Sequence, residues 1–187
     1  MEAADQPVIQ AGDAATWYRA NVDSVYGYVA RRVGEQLATD LVAETFRIAL
    51  EQRERFDPDR GSERAWLLGI ATNLVRRHWR TETRRLRAWS RYAVAADVPG
   101  TDPLLAVDAR VDATVEVAAL FDAVAALPAD DRDLLILVAW EGCSYRDAAE
   151  IAGVPTGTIR SRLHRIRRTL HSLMGERGQQ GGEHEHG

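Results

Sequence analysis

Residues 144–170 combine two helical patterns, a glycine between them and a strong excess of positive charge at their end. Ser144 with Asp147 three residues later predicts a capping box at the start of the first helix. Gly153 predicts a tight turn, and Thr156 is a candidate cap for the second helix. The pattern therefore predicts a helix-turn-helix, a unit that packs through apolar faces and leaves one helix surface exposed.

The second helix of this unit is predicted to have one apolar and one cationic face, at about 100° per residue. Five arginines and no acidic residue lie between positions 156 and 171, which suits contact with phosphates and with guanine edges. A solvated basic face on an ordinary helical hairpin is the alternative, but turn, cap, apolar stripe and charge together favour DNA binding. The stripe comprises Ile159, Leu163, Ile166 and Leu170, and the opposite face comprises Arg160, Ser161, His164, Arg165 and Arg168.

Charge is distributed unevenly along the 187 residues, although the formal net charge is only −4. Seven arginines against one glutamate lie in 76–91, and eight acidic residues against one arginine lie in 92–131. The overall negative charge therefore does not exclude a nucleic-acid-binding protein. Because Cys143 is the only cysteine, an intramolecular disulfide and a thiolate zinc cluster are excluded. With no signal peptide and no apolar run of about 20 residues, we expect a soluble, cytoplasmic protein that does not enter the membrane.

Hydrophobic periodicity divides the chain into two groups of helices, and the predicted fold class is all-α, with two small helical domains joined by a flexible linker. Gly34 is predicted to end the first helix, Thr39 to cap the second and Ser62 to cap the third. The predicted helices span 13–32, 39–53, 62–87, 112–127 and 128–141, followed by the helix-turn-helix. The predicted divisions are a disordered lead (1–12), a first domain (13–88), an acidic linker (89–112), a second domain (113–174) and a flexible tail (175–187).

The third predicted helix carries an unusual polar row beside its apolar side. Aromatic stacking combined with a cationic track is how proteins hold single-stranded DNA. From the residues alone, a core tryptophan and a solvated amide are the favoured alternative. The row, called the ridge below, comprises Trp66, Asn73, Arg77, Arg80 and Arg84.

The sequence contains no phosphate-binding glycine loop, nucleophile elbow or His-Glu-x-x-His pattern, so we predict no enzyme, no cofactor and no metal. Asp40 and Glu44 lie one helical turn apart, but carboxylates on an outer helix face are ordinarily solvated. A DNA-rearranging enzyme is one alternative, for which Ser90 and Tyr92 are the nearest nucleophiles, both within the predicted linker. A stand-alone helix-turn-helix regulator is another. The ridge argues against it, because a ligand-binding or dimerising domain needs no cationic aromatic track.

Taken together, these motifs resemble those of bacterial sigma factors of the extracytoplasmic-function group, over nearly all of 17–170. DLVAETF at 40–46 resembles the group's signature for binding core polymerase, and RAWLLGIATNLVRRHWR at 64–80 resembles its promoter-melting helix. LPADDR at 127–132 and GCSYRDAAEIAGVPTGTIRSRL at 142–163 resemble its promoter-reading domain. The resemblance implies a factor without cofactor that binds core RNA polymerase, recognises minus-thirty-five and minus-ten promoter elements and promotes DNA opening. It also adds an anti-sigma protein as a candidate partner, which no residue of the chain identifies.

The resemblance also implies three sets of site residues. Asn73 matches the position near which a minus-ten base is captured out of the stack. His164 departs from the aromatic residue often found at its position, and Arg76, Arg77 and His78 stand where many members have aspartate. The candidates are Asp40, Leu41, Glu44 and Phe46 for core polymerase; Trp66, Asn73, Arg77, Arg80 and Arg84 for minus-ten DNA; and Thr158, Arg160, Ser161, Arg162, His164 and Arg165 for minus-thirty-five DNA.

Overall fold

The computed structural model describes residues 11–90 and 115–180, which form seven α-helices and no strand. This confirms the all-α prediction. Of the predicted lead, linker and tail, residues 1–10, 91–112 and 181–187 lie outside the described residues. A 3₁₀ turn at Arg53–Arg55 follows the second helix, and a π-helical turn at Ile136–Trp140 continues the fifth. The helices are α1 (Ala11–Val33), α2 (Glu35–Glu51), α3 (Glu63–Ser90), α4 (Val115–Ala125), α5 (Ala129–Leu135), α6 (Tyr145–Ala152) and α7 (Thr156–Gln180).

Helices α1, α2 and α3 pack around a common apolar core. Gly34 ends α1, where its N–H donates to Ala30 O at 2.8 Å, and its φ of 81° redirects the chain at once into α2. Because α2 begins at Glu35, Thr39 lies inside the helix, and the prediction that it caps α2 is wrong. Ser62 does cap α3, since its Oγ accepts from Ala65 N at 3.1 Å.

Helices α6 and α7 form the predicted helix-turn-helix. Ser144 Oγ accepts from Asp147 N at 3.1 Å while the Asp147 carboxylate accepts from Ser144 N at 3.3 Å, which confirms the capping box. Gly153 has a φ of 64° and provides the turn, after which α7 begins at Thr156 itself. The predicted apolar stripe is buried at Ile159, Leu163 and Ile166, and partly buried at Leu170.

The C-terminal helices pack against the N-terminal ones, an arrangement that the sequence pattern did not predict. Ile136, Leu137 and Cys143 belong to the same buried cluster as the α1–α3 core. Ile151 of α6 packs on α3, where a Cβ added at Gly69 would stand 3.5 Å from its Cγ1. The boundary between the two groups of helices, called the seam below, is therefore part of the hydrophobic core.

Candidate nucleic-acid interface

Helix α7 presents most of its predicted polar face to solvent. Arg160, Ser161 and His164 are exposed, and Thr158 is half-buried beside them. Ser161 Oγ donates to Thr158 O at 2.9 Å, which satisfies the hydroxyl within the helix. The opposite side of α7 is fixed in the core, so the exposed side chains stand on a rigid support. This arrangement suits a helix that enters a DNA groove.

Two arginines of α7 share one carboxylate of α5. Asp131 is 6% exposed and accepts from Arg162 at 3.1 and 2.8 Å and from Arg165 at 3.3 and 3.0 Å. The Arg162 side chain is 20% exposed and turns toward α5, whereas that of Arg165 is 66% exposed. Arg162 therefore departs from the predicted DNA-facing set. Arg165 stays on the outer face with its guanidinium oriented by the carboxylate.

The ridge on α3 divides into parts with different neighbours. Trp66 is half-buried against Phe56, with ring centroids 5.4 Å apart. Asn73 and Arg77 are exposed and open to a ligand. Arg80 and Arg84 are exposed but line a cavity of about 390 Å³ that also involves residues of α5. The helical angle thus predicted a common row, but α5 converts one end of it into the wall of a cleft.

The outer face of α2 carries the predicted carboxylates, and Leu41 is half-buried beside them. Arg47 donates to both oxygens of Glu44, at 2.6 and 2.7 Å, and to Glu51 at 2.5 Å. The hydrogen bond from Arg47 holds the pKa of Glu44 below its ordinary value, although slight burial acts in the opposite direction. Asp40 is exposed and forms no ion pair within the described part of the chain, so its charge is the one most available to a partner.

Phe46 lies apart from these carboxylates. It is 4% exposed and packs against Trp17 and Tyr18, with ring centroids 5.3 and 4.7 Å away. A side chain buried to this extent is not on the surface that a partner would touch. The helical angle places Phe46 on the apolar side of α2, which is why it departs from the predicted polymerase-facing set and anchors α2 on α1 instead.

A buried ionic cluster lies where α1 and α3 meet α5. Asp133, which is 1% exposed, pairs with Arg32 and with Arg76. Arg32 also donates to Tyr28 Oη at 3.0 Å, and that hydroxyl lies 2.7 Å from Thr72 Oγ1. Burial raises the pKa of Tyr28 to about 12, so its hydroxyl stays neutral. Charges this deeply buried are stable only while they are paired, and the cluster therefore ties the two groups of helices together.

A second ionic cluster surrounds Glu141, directly after the π-helical turn. The Glu141 side chain is 5% exposed and pairs with Arg31 and Arg64. Arg64 also donates to Glu141 O at 2.8 Å and to Ser24 Oγ at 2.6 Å. The carboxylate is thus held by two arginines from different helices of the N-terminal group.

The rim of the seam joins the loop before α3 to α6. Ser62 N donates to Asp147 at 2.8 Å, and Arg60 pairs with Glu150 at 2.9 Å. Burial raises the pKa of Asp147, but hydrogen bonds from Ser62 and Ser144 outweigh it and leave the pKa below its ordinary value. The α6 capping box is therefore shared with the N-terminal group. Sequence reasoning missed all these contacts across the seam, because partners 57 to 110 positions apart leave no periodic signal.

Comparisons with known proteins assign both groups of helices. Residues 17–85 match the family model Sigma-70 region 2, and residues 118–170 match Sigma-70, region 4. The probable RNA polymerase sigma-C factor of Mycobacterium bovis is 34% identical over 154 residues, which cover 81% of this chain and 78% of the relative. The chain belongs to the extracytoplasmic-function sigma factors of the sigma-70 family. Sigma factors are transcription initiation factors and not enzymes. The predicted family and the prediction that the protein is not an enzyme are therefore both confirmed.

Other similar proteins agree with this assignment. The sigma factor EcfG of Rhodopseudomonas palustris is 38% identical over 139 residues, 73% of this chain and 71% of its own. Among solved structures, the sigma factor RpoE in complex with the anti-sigma factor NepR from Bartonella quintana has a TM-score of 0.59 and 24% identity, over 87% of this chain and 97% of that one. CnrH in complex with the cytosolic domain of CnrY has a TM-score of 0.57 and 21% identity, over 89% and 90%. These two structures show that the fold is shared. Within the described ranges, no helix of this sigma factor is long and apolar enough to cross a membrane.

Proposed function

We propose that this sigma factor acts in the cytoplasm by binding core RNA polymerase through α2, reading the minus-thirty-five element with α7 and capturing the minus-ten strand on α3. Residues 13–88 and 113–174 are the two working domains, and 89–112 link them. Family membership supports the coarse function. The single observation that carries the finer proposal is the α7 surface, where Arg160, His164 and Arg165 stay accessible on a helix whose other side is buried.

Reading of the minus-thirty-five element requires base contacts from α7 in the major groove. Arg165 is the strongest candidate, since an arginine pairs with the O6 and N7 atoms of guanine through its two-pronged guanidinium. Asp131 orients that guanidinium from behind, which lowers the entropy lost when it meets the base. Arg160 and His164 extend the same exposed surface and would contact neighbouring bases or phosphates.

Polymerase binding is proposed for Asp40, Leu41 and Glu44 on the outer face of α2. Exposed carboxylates suit a cationic partner surface and speed productive encounter. Arg47 already neutralises part of the Glu44 charge, so Asp40 contributes the larger share of the attraction. Phe46 supports this face from the core without touching the partner.

Promoter opening is proposed for the exposed part of the ridge. Asn73 offers both a donor and an acceptor to the edge of an extruded base, and Arg77, exposed about one helical turn further along α3, would hold the adjoining phosphates. Trp66, which contacts Phe56 at a tilted angle, supplies an aromatic surface on the same helix. Arg80 and Arg84 extend the cationic track toward α5. An anti-sigma protein is proposed as a further partner, on the support of the two related complexes.

Run-off transcription with purified core polymerase, on promoters selected from a random library, tests the proposal. The wild-type factor should direct a transcript. Arg165→Ala should weaken promoter binding by about 1 to 3 kcal/mol, the range for one guanine contact. Arg167→Ala, which removes the same charge from the same helix outside the predicted set, is the matched control. Binding of DNA without any transcript would favour a stand-alone regulator. Full promoter activity of Arg165→Ala would remove the assignment of α7.

A further inference from the structure

The charges that cross the seam are sorted by sign. In six ion pairs between the two groups of helices, all within residues 11–90 and 115–180, the arginine comes from the region 2 side and the carboxylate from the region 4 side. We call the first set the arginine face and the second the acidic face. The arginine face comprises Arg31, Arg32, Arg60, Arg64 and Arg76, and the acidic face comprises Asp130, Asp133, Glu141 and Glu150.

We propose that the arginine face is a binding surface for the DNA backbone, and that the acidic face occupies it while the two groups of helices pack together at the seam. This packed arrangement is called the closed chain below. Guanidinium groups bind carboxylate and phosphate oxygens with the same paired geometry, so one anion can replace the other. Three members of the arginine face are accessible enough to exchange partners, since the side chains of Arg31, Arg60 and Arg64 are 48%, 66% and 37% exposed. The proposal rests on the proposed function only in taking DNA as the polyanion.

Promoter geometry requires the seam to open. The names of the two elements place them about 25 base pairs apart, or about 85 Å along B-DNA at roughly 3.4 Å per base pair. In the closed chain α3 contacts α6, which in turn contacts α7, and Arg76 lies 3.1 Å from Asp130. The ridge on α3 and the exposed face of α7 are therefore too close together to occupy both elements at once.

Opening leaves the arginine face without its anions. Arg32 is the critical member, because it is 3% exposed and its pairing with Asp133 is what makes its burial tolerable. A row of phosphates would replace the lost carboxylates and neutralise the face again. The acidic face therefore acts as a built-in substitute for DNA, which keeps the free factor closed and suppresses its binding to unrelated DNA.

The test uses the full chain without polymerase. The variant Asp133→Asn with Glu141→Gln neutralises the two most buried carboxylates of the acidic face. It should open the seam, which small-angle X-ray scattering would detect as a larger radius of gyration. The same variant should bind an unrelated 20-base-pair duplex at least about tenfold more tightly in fluorescence anisotropy. The slope of log affinity against log salt concentration should be steeper by about two or more, since each phosphate neutralised contributes about 0.9 to that slope. Glu35→Gln with Glu54→Gln, which makes the same change in net charge away from the seam, is the matched control and should leave both measurements nearly unchanged.

Two further variants complete the test. Adding Arg31→Gln and Arg64→Gln to the opened chain should abolish the gain in affinity. If the buried variant loses helical circular dichroism, Asp130→Arg with Glu150→Arg opens the seam from its exposed rim, where the side chains are 68% and 38% exposed. An opened chain with no more DNA affinity than the control would overturn the arginine face as a DNA site. An unchanged radius of gyration in a folded variant would overturn the acidic face as its occupant. Neither result depends on transcription, so failure of the proposed function would be seen separately in the run-off assay.

Discussion

Asp131 offers a sharp test of how α5 prepares α7 for the proposed reading of DNA. The substitution Asp131→Asn keeps the shape of the side chain but removes the charge that holds Arg162 and Arg165. We expect two opposite effects on DNA binding. Binding to unrelated DNA should become slightly tighter, because one negative charge near the DNA surface is gone. Discrimination for the selected minus-thirty-five sequence should fall, because the guanidinium of Arg165 is no longer oriented.

The magnitudes follow from exposure and contact geometry. Breaking a fully buried ion pair costs about 3 to 5 kcal/mol, whereas exposed pairs contribute about 0 to 1 kcal/mol. Arg162 is 20% exposed and Arg165 66% exposed, so we expect a loss of about 2 kcal/mol in stability, mostly through Arg162. Because the two groups of helices share a core, we expect the 187-residue chain to unfold as one unit, and for that size the loss lowers Tm by about 4 to 8 °C. The loss in discrimination should approach, but not exceed, the roughly 1 to 3 kcal/mol of one guanine contact.

Fluorescence anisotropy on matched selected and scrambled duplexes measures the discrimination, and thermal unfolding followed by circular dichroism measures the stability. Asp130→Asn is the control for discrimination, because it removes the same charge one residue away and contacts Arg76 instead of the two α7 arginines; as a member of the acidic face it should also tighten binding to unrelated DNA. If Asp131→Asn tightened binding to both duplexes equally, the reasoning would fail: Arg165 would then be shown not to depend on this carboxylate for base reading.

Three other changes test the remaining parts. Asn73→Ala should leave closed-complex binding nearly intact but reduce permanganate reactivity of bubble thymines, and a premelted template should restore it; a normal bubble on duplex DNA would return Asn73 to a solvated amide. Asp40→Arg should weaken holoenzyme assembly in native gels more than Glu44→Arg, because Arg47 already screens the second charge; equal effects would count against that ranking. Gly153→Ala should destabilise the protein by about 1 to 2 kcal/mol through its φ of 64°, whereas Gly157→Ala, in the helical backbone of α7, should be neutral or stabilising. Equal melting temperatures for the two alanine variants would contradict the strain argument.

Local features of the fold could be predicted because they depend on residues only a few positions apart. The capping box of Ser144 and Asp147, the turn at Gly153 and the apolar stripe of α7 are all of this kind. Thr39 failed as a cap because Gly34 both ended one helix and began the next, a choice that depends on how the two helices pack.

Features that depend on distant contacts could not be predicted in this way. The pairing of Arg32 with Asp133 spans 101 residues, and no periodic pattern records it. Arg162 belongs to the cationic run of α7 by sequence, yet a carboxylate 31 positions earlier turns it away from solvent. The packing of α5 gives neighbouring site residues different surroundings: it turns Arg162 inward, and it places Arg80 and Arg84 at a cavity. The resemblance alone did not predict these differences.

The covalent connection between the two faces also determines how tightly a separate protein must bind in order to displace the acidic face from the arginine face. Ser90 and Val115 are joined by the same chain, so the acidic and arginine faces meet at an effective concentration on the order of millimolar. A separate protein that inserts its own carboxylates between them works at a far lower concentration, and must compensate with affinity or with a second point of attachment. At very high protein concentration the balance changes, because the acidic face of one molecule can then close on the arginine face of another and produce an exchanged dimer.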